Sequence, residues 1–269
     1  MQAPLVFDAD HYARLNATRG SVVTEMIADL RSGVDLRSAI DVGCGLGYFS
    51  ELLRSNGFQV TGVDGRAENV EEARLRYRDI QFHKFNAEDS DLLGLGTFDL
   101  CFCFGLLYHL ENPFLAIRHL RALTKTLLLV EGVILHGTEP IMALVDETPL
   151  RDQGLHNFAF YPTEACLIKM FYKAGFSHVY SLLSPPQHPD YHSSSDCRRV
   201  RTILAASLHP IRSAKLKAIT EPESNFKPWD PTSGIEASRT TERLLRFAGK
   251  PFSEKVATLK RVVKKPNKS

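Results

Sequence analysis

Cysteine is scarce in this sequence, and what there is does not pair. Cys44, Cys101, Cys103, Cys166 and Cys197 are odd in number and never show the C-x-x-C spacing, so neither a disulfide framework nor a structural zinc site is expected, and free core thiols are. Long apolar runs are missing as well. The longest, LCFCFGLLY from Leu100 to Tyr108, is far short of the roughly 20 residues that cross a bilayer, so no membrane association is expected. The start, MQAPLVFDADHY, has no basic stretch followed by an apolar one, which points away from export and towards a cytoplasmic protein. What is present is ordinary globular material. With 43% hydrophobic and 24% charged residues, 269 residues suffice for one large domain, or a domain plus an extension.

A net charge of +2 hides an asymmetry. Residues 1–209 carry 19 basic and 25 acidic side chains, a net −6, whereas residues 210–269 carry 14 and 6, a net +8. The basic segment would attract an anionic partner.

Between Ser38 and Ser207 short apolar runs alternate with helical patterns, the signature of a parallel sheet flanked by helices. Strands are expected at AIDVG (39), FQVTGVD (58), IQFHKF (80), FDLCFCF (98) and TLLLVEGVI (126). Helices are expected over 48–55, 68–76 and 112–122, the last opening on Asn112 and Pro113. An irregular stretch should then run from His136 to Tyr161, followed by a helix in PTEACLIKMFYKAGF and by two strands near HVYSLLS and RTILAAS. The segment between those strands is too short and too rich in turn formers for a crossover helix, so they should pair antiparallel. The reading is an α/β, Rossmann-like, seven-stranded sheet, mostly parallel with the last strand antiparallel and helices on both faces. Residues 1–37 form an N-terminal helical cap, 38–209 the main domain, and 210–269 a basic extension with a helix near Ala237–Phe247.

The turn DVGCGLGYF sits where such sheets bind ligands, at the carboxyl end of the first strand. A dinucleotide fingerprint, G-x-G-x-x-G, needs a third glycine where this chain has Tyr48; the glycines here are Gly43, Gly45 and Gly47. A pyrophosphate is therefore disfavoured. Asp41, just before the turn, would repel phosphate and welcome an ammonium group. Asp64 ends the second strand 19 residues after Gly45, about where a carboxylate accepts from ribose hydroxyls. A nucleoside with a cationic tail fits these residues.

AIDVGCGLGYFS, VTGVD, FNAED and FDLCFCFGLLYHLENP, in that order, resemble the class I S-adenosylmethionine-dependent methyltransferases, over Ser38 to Ser207. The resemblance implies S-adenosyl-L-methionine as cofactor. The turn from Gly43 to Gly47 would wrap its methionine and ribose, Asp64 would hold the ribose hydroxyls, and Asn86 with Ala87 would bracket the adenine. Phe104 and Gly105 would face the methionine end. Aspartate is commoner in the family where this chain has Asn86. The segment after the fourth strand borders the reactive end in the family, which makes Tyr108 a candidate for positioning and His109 a candidate base, imidazole titrating near neutrality. His136 and His156 are weaker alternatives.

The Asn/Asp-Pro-Pro-aromatic motif of DNA-base N-methylating enzymes is replaced here by GLLYH. GLLYHLENP with FYPTEACLIKMFYKAGFSHV is similar to the branch containing bacterial wobble-uridine carboxymethyltransferases of transfer RNA. Tyr161, Arg198, Arg199 and Arg201 are candidates for an acceptor site, together with His188, Tyr191 and His192 in the loop from Pro185 to Val200. Methyl transfer to oxygen or nitrogen of a small molecule is the leading expectation. Transfer RNA modification and non-catalytic cofactor binding are the alternatives.

Overall fold

The computed structural model describes Phe7, residues 9–148, Leu150, and residues 153–192 and 199–224. Cys197, Arg198, the expected helix near Ala237–Phe247 and the basic stretch from Lys250 to Lys268 lie outside the described residues.

The first five strands and three helices fall where the apolar runs place them. They are β1 (Ser38–Val42), α2 (Tyr48–Ser55), β2 (Gln59–Asp64), α3 (Ala67–Arg76), β3 (Gln81–Lys84), β4 (Phe98–Phe104), α4 (Pro113–Leu123) and β5 (Thr124–Leu135), with α1 (Asp10–Leu30) ahead of them. Beyond β5 come β6 (Met142–Asp146), β7 (Phe158–Pro162), α5 (Glu164–Ala174), β8 (His178–Leu182), β9 (Arg199–Ser207) and β10 (Leu216–Ile219).

The main sheet has eight strands in the order β10-β8-β9-β5-β4-β1-β2-β3. Strands β3, β2, β1, β4 and β5 pair in parallel, and β9 enters antiparallel between β5 and β8. The antiparallel pairing of β8 with β9 follows the expectation from the short connection. The expected count of seven is corrected to eight: Leu216–Ile219 pairs antiparallel with β8, so the sheet continues into the segment that reads as an extension. A second correction concerns His136–Tyr161. Rather than being irregular throughout, it carries the antiparallel pair β6–β7, in register from Met142 opposite Pro162 to Asp146 opposite Phe158. The pattern is hard to read because β6 is largely solvent-facing, with Leu144 65% exposed, and so lacks a buried stripe.

Period-two alternation splits the core between the two faces of the sheet. Leu100, Phe102, Leu127 and Leu129 face α1, whose Val23, Met26, Ile27 and Leu30 are almost fully buried there. Cys101, Cys103, Leu128 and Val130 face the other side with Ile117 and Leu120 of α4 and Phe171 of α5. Strand order reverses between β1 and β4, which opens a crevice at their carboxyl ends.

Candidate active site

The cleft begins at the glycine turn. Gly43, Gly45 and Gly47 have φ of 81°, 53° and 89°, left-handed values that glycine adopts without strain. Gly43 and Cys44 donate to the Val63 carbonyl at 2.8 and 2.9 Å, which pins the turn against the end of β2. A Cβ on Gly43 would meet Leu106 at 2.9 Å, whereas one on Gly45 would find only Phe7, at 3.9 Å. Gly45 thus presents bare backbone to open space.

Asp64 lies across the turn. Its Oδ2 accepts from the Gly45 N–H at 3.0 Å, and its Oδ1 from the Arg66 N–H at 2.9 Å and Asn69 Nδ2 at 3.1 Å. A carboxylate has about four acceptor positions, so three protein donors leave one for a ligand. Burial raises the Asp64 carboxyl above the ordinary carboxylate range, partly offset by those hydrogen bonds.

Two expected cofactor residues do not line the cleft, Gly47, where a Cβ would meet Tyr77 at 2.9 Å and Phe82 at 3.0 Å, and Asp41. The Asp41 side chain is buried and accepts from Ser50 Oγ at 2.7 Å, and of β1 only Val42 lines the cleft. The alternation that turns Val42 one way turns Asp41 into the α2 side, so the expected role towards an ammonium group is not met by this side chain. Burial pushes its carboxyl up to about 7.

The cleft, about 390 Å³, takes in the remaining candidates: Asn86, Ala87, Phe104, Gly105, Tyr108 and His109. Asn86 Oδ1 accepts from the Glu88 N–H at 3.2 Å in an Asx-type turn, and the Ala87 carbonyl is bonded to His119 Nδ1 of α4 at 2.9 Å. At the far end, Phe104 stacks on Phe102 at 4.0 Å between ring centroids, and Gly105 turns out of β4 at a φ of 72°.

Three features escaped the sequence reading. Arg66 Nη2 donates to the carbonyls of Gln153 and Gly154, both at 3.1 Å, which brings these two residues between β6 and β7 to the Asp64 end of the cleft. Glu131 of β5 is fully buried and accepts from Arg19 Nη2 at 2.8 Å, Arg201 Nη1 at 3.1 Å and Tyr191 Oη at 3.1 Å. Burial alone would raise its carboxyl, but the two guanidinium groups outweigh that and hold it below the ordinary value. Glu147, just past β6, faces His109. One lone acid inside the apolar run TLLLVEGVI was the available signal for Glu131, since a buried charge requires partners. Nothing local marked Glu147.

A second cavity of about 540 Å³ adjoins the first, and Tyr12, Tyr108, His109, Gln153 and Arg201 line both. It also receives Tyr161, Arg199 and His192. Tyr191 turns inward to Glu131, and His188 bonds the Asp190 N–H at 3.3 Å rather than lining either cavity. His136 and His156 line neither.

A glycine turn bridged to an acidic strand end, at the reversal point of a mostly parallel sheet, defines a nucleoside-binding α/β protein. A model of the family described as methyltransferase domain matches residues 40–126. The ubiquinone biosynthesis O-methyltransferase of Psychrobacter cryohalolentis is 30% identical over 177 residues, covering 60% of this chain and 67% of that protein. The tRNA U34 carboxymethyltransferase of Tolumonas auensis is 31% identical over 153 residues, 53% of this chain and 45% of that protein. The chain spans about half the length of several such curated relatives. The fold is shared with the N-terminal domain of EvdMO1, crystallised with SAH bound, at a TM-score of 0.58 and 18% identity over 74% of this chain and 84% of that one. The chain belongs to the class I S-adenosylmethionine-dependent methyltransferases.

Proposed function

We propose that the protein transfers a methyl group from S-adenosyl-L-methionine to an oxygen or nitrogen atom of a small-molecule acceptor. One observation carries this reading. The cleft at the Gly45–Asp64 junction runs on past Gly105 to Tyr108 and His109, where it meets a second cavity with a shared wall. Donor and acceptor sites in contact are what a direct transfer needs, because the nucleophile must approach the methyl carbon opposite the sulfur.

The residues fit the cofactor. Gly45 leaves room for close backbone approach, Asp64 keeps one acceptor position for a ribose hydroxyl, and Asn86 and Ala87 line the part of the cleft that would take the adenine. When bound, the cofactor supplies an electrophilic methyl group on a sulfonium. Phe104 and Gly105 would border that end, and Tyr108 would shape the passage to the acceptor. Arg19, missed from sequence, also lines the cleft there and is positioned by Glu131.

Isothermal calorimetry with S-adenosyl-L-methionine tests the donor site, Asp64→Ala being expected to bind much more weakly than wild type. Undiminished binding would remove Asp64 from its role. Tritium transfer from labelled cofactor into a small-molecule extract tests turnover, and its absence would favour a non-catalytic binding protein.

The similarity to the Tolumonas auensis tRNA U34 carboxymethyltransferase supports a second reading, a transfer RNA acceptor. Phosphate contacts would make such binding strongly salt-dependent. A gel shift with bulk transfer RNA showing no complex at low salt would eliminate it.

A further inference from the structure

The second cavity contains a paired histidine and carboxylate. His109 lies in the short turn Leu107–His109 after β4, and its Nδ1 is 2.7 Å from Oε1 and 2.9 Å from Oε2 of Glu147. Both side chains are largely buried, 10% and 3% exposed. The Gly154 N–H donates to Glu147 Oε2 at 2.8 Å, so the carboxylate is fixed from its own connection as well as from the imidazole. The other imidazole nitrogen, Nε2, has no hydrogen-bond partner among the described residues.

We infer that Glu147 is a positioning residue that holds the His109 proton on Nδ1, leaving Nε2 as a base for an acceptor that reacts through a hydroxyl group. This rests on the methyl-transfer reading above and narrows its acceptor to a phenol or alcohol. A buried carboxylate is acceptor-only when ionised, so it selects the tautomer with the proton on the facing nitrogen. An amine acceptor that is already neutral needs no base in the step. A hydroxyl is a poor nucleophile until its proton leaves, which is where a histidine contributes about 10²–10⁴-fold. In the step, the acceptor hydroxyl gives its proton to Nε2 as its oxygen bonds to the methyl carbon, and the electron pair of the broken carbon–sulfur bond stays on sulfur. The imidazolium so formed is stabilised by Glu147 and returns its proton to water.

The placement of Glu147 also ties the two cavities together. Gly154, which donates its N–H to Glu147, accepts at its carbonyl from Arg66 Nη2 beside Asp64. The connection that reaches the Asp64 end of the cleft is thereby the one that orients the base.

The tautomer is measured directly on the full chain labelled with 15N-histidine, at pH 9, by two-bond proton–nitrogen correlation, the His109 signals being assigned by their loss in His109→Asn. Wild type is expected to carry the proton on Nδ1. Glu147→Gln, which keeps a carbonyl acceptor, is expected to retain that form, and Glu147→Leu to shift the population towards Nε2–H. Wild type with its proton on Nε2, or a Glu147→Leu spectrum identical to wild type, would overturn the inference. Calorimetry with S-adenosyl-L-methionine on the same samples separates the two readings. Wild type that fails to bind cofactor defeats the methyl-transfer reading, whereas retained binding with the wrong tautomer defeats only the role of Glu147.

Discussion

The Gly45 N–H donates to the Asp64 carboxylate at 3.0 Å, joining two strand ends separated by 19 residues in the chain. The bond fixes the bare turn of β1 against the acid of β2, at the crevice where the sheet order reverses. Asp64→Ala should weaken S-adenosyl-L-methionine binding by about 10- to 100-fold, the effect of losing one hydrogen bond to a charged group, roughly 1.5–3 kcal/mol. Calorimetry reads this directly, with circular dichroism as the check that the turn still folds once Gly45, Arg66 and Asn69 lose their shared acceptor.

Gly43 and Gly45 should respond differently to alanine. Both have positive φ, but a Cβ at Gly43 collides with Leu106 at 2.9 Å, while one at Gly45 stays 3.9 Å from Phe7. Gly43→Ala is expected to lower the urea midpoint clearly, and Gly45→Ala to cost only about 1 kcal/mol of stability for its left-handed backbone while sharply reducing cofactor affinity. Equal losses of stability in the two variants would contradict this.

The cluster of Glu131, Arg19 and Arg201 predicts strong coupling. Glu131→Leu leaves the buried Arg19 guanidinium without a carboxylate, only Asn16 remaining beside it, and takes from Arg201 one of its two acids, the other being Asp190; it should destabilise by about 3–5 kcal/mol. Adding Arg19→Met should recover part of that loss, because one unpaired charge then disappears. Denaturant unfolding of the single and double variants measures the coupling, and simple additivity would argue against it.

Two buried aspartates make opposite contributions to stability against pH. Asp41, with its carboxyl pushed up to about 7 by burial, binds its proton more tightly in the folded chain, so its contribution is fully present below about pH 4 and is lost as pH rises through 7. Asp99 is held down at about 2. Burial opposes this, and the N–H groups of Arg37 and Ser38 with the Ser38 hydroxyl and Lys125 prevail; its contribution is present above about pH 4 and is lost as pH falls towards 2. Asp41→Asn should therefore flatten the decline in urea midpoint between pH 4 and 7, and Asp99→Asn should weaken the acid-side decline. An unchanged profile in Asp41→Asn would show that the buried carboxyl does not titrate in that window.

Much of the sheet was legible because its strands are buried on both faces. FDLCFCF is apolar at nearly every position and is β4 in full, and the glycine turn is set by local conformational demands that only glycine meets cheaply. β6 was not legible, since its side chains are largely exposed and give no stripe. Of the residues that the resemblance implies, Gly43, Gly45, Asp64, Asn86, Ala87, Phe104 and Gly105 line one cleft, and Gly47 does not. Asp41 was misread because an acid next to a ligand turn looks the same in sequence whether it points into the cleft or, as here, to Ser50 beneath it.

The sequence alone determined the parallel sheet, the turn and the acidic strand end, because apolar periodicity, glycine and the acid closing a strand are local properties of the chain. The tertiary structure decided which charges meet. Arg19 finds Glu131 across 112 residues and His109 finds Glu147 across 38, pairings that arise from packing; the lone acid in TLLLVEGVI signals that Glu131 needs partners but not which. Glu131 and Asp99 are held ionised by that packing, because the groups that oppose their burial come from segments far apart in the chain.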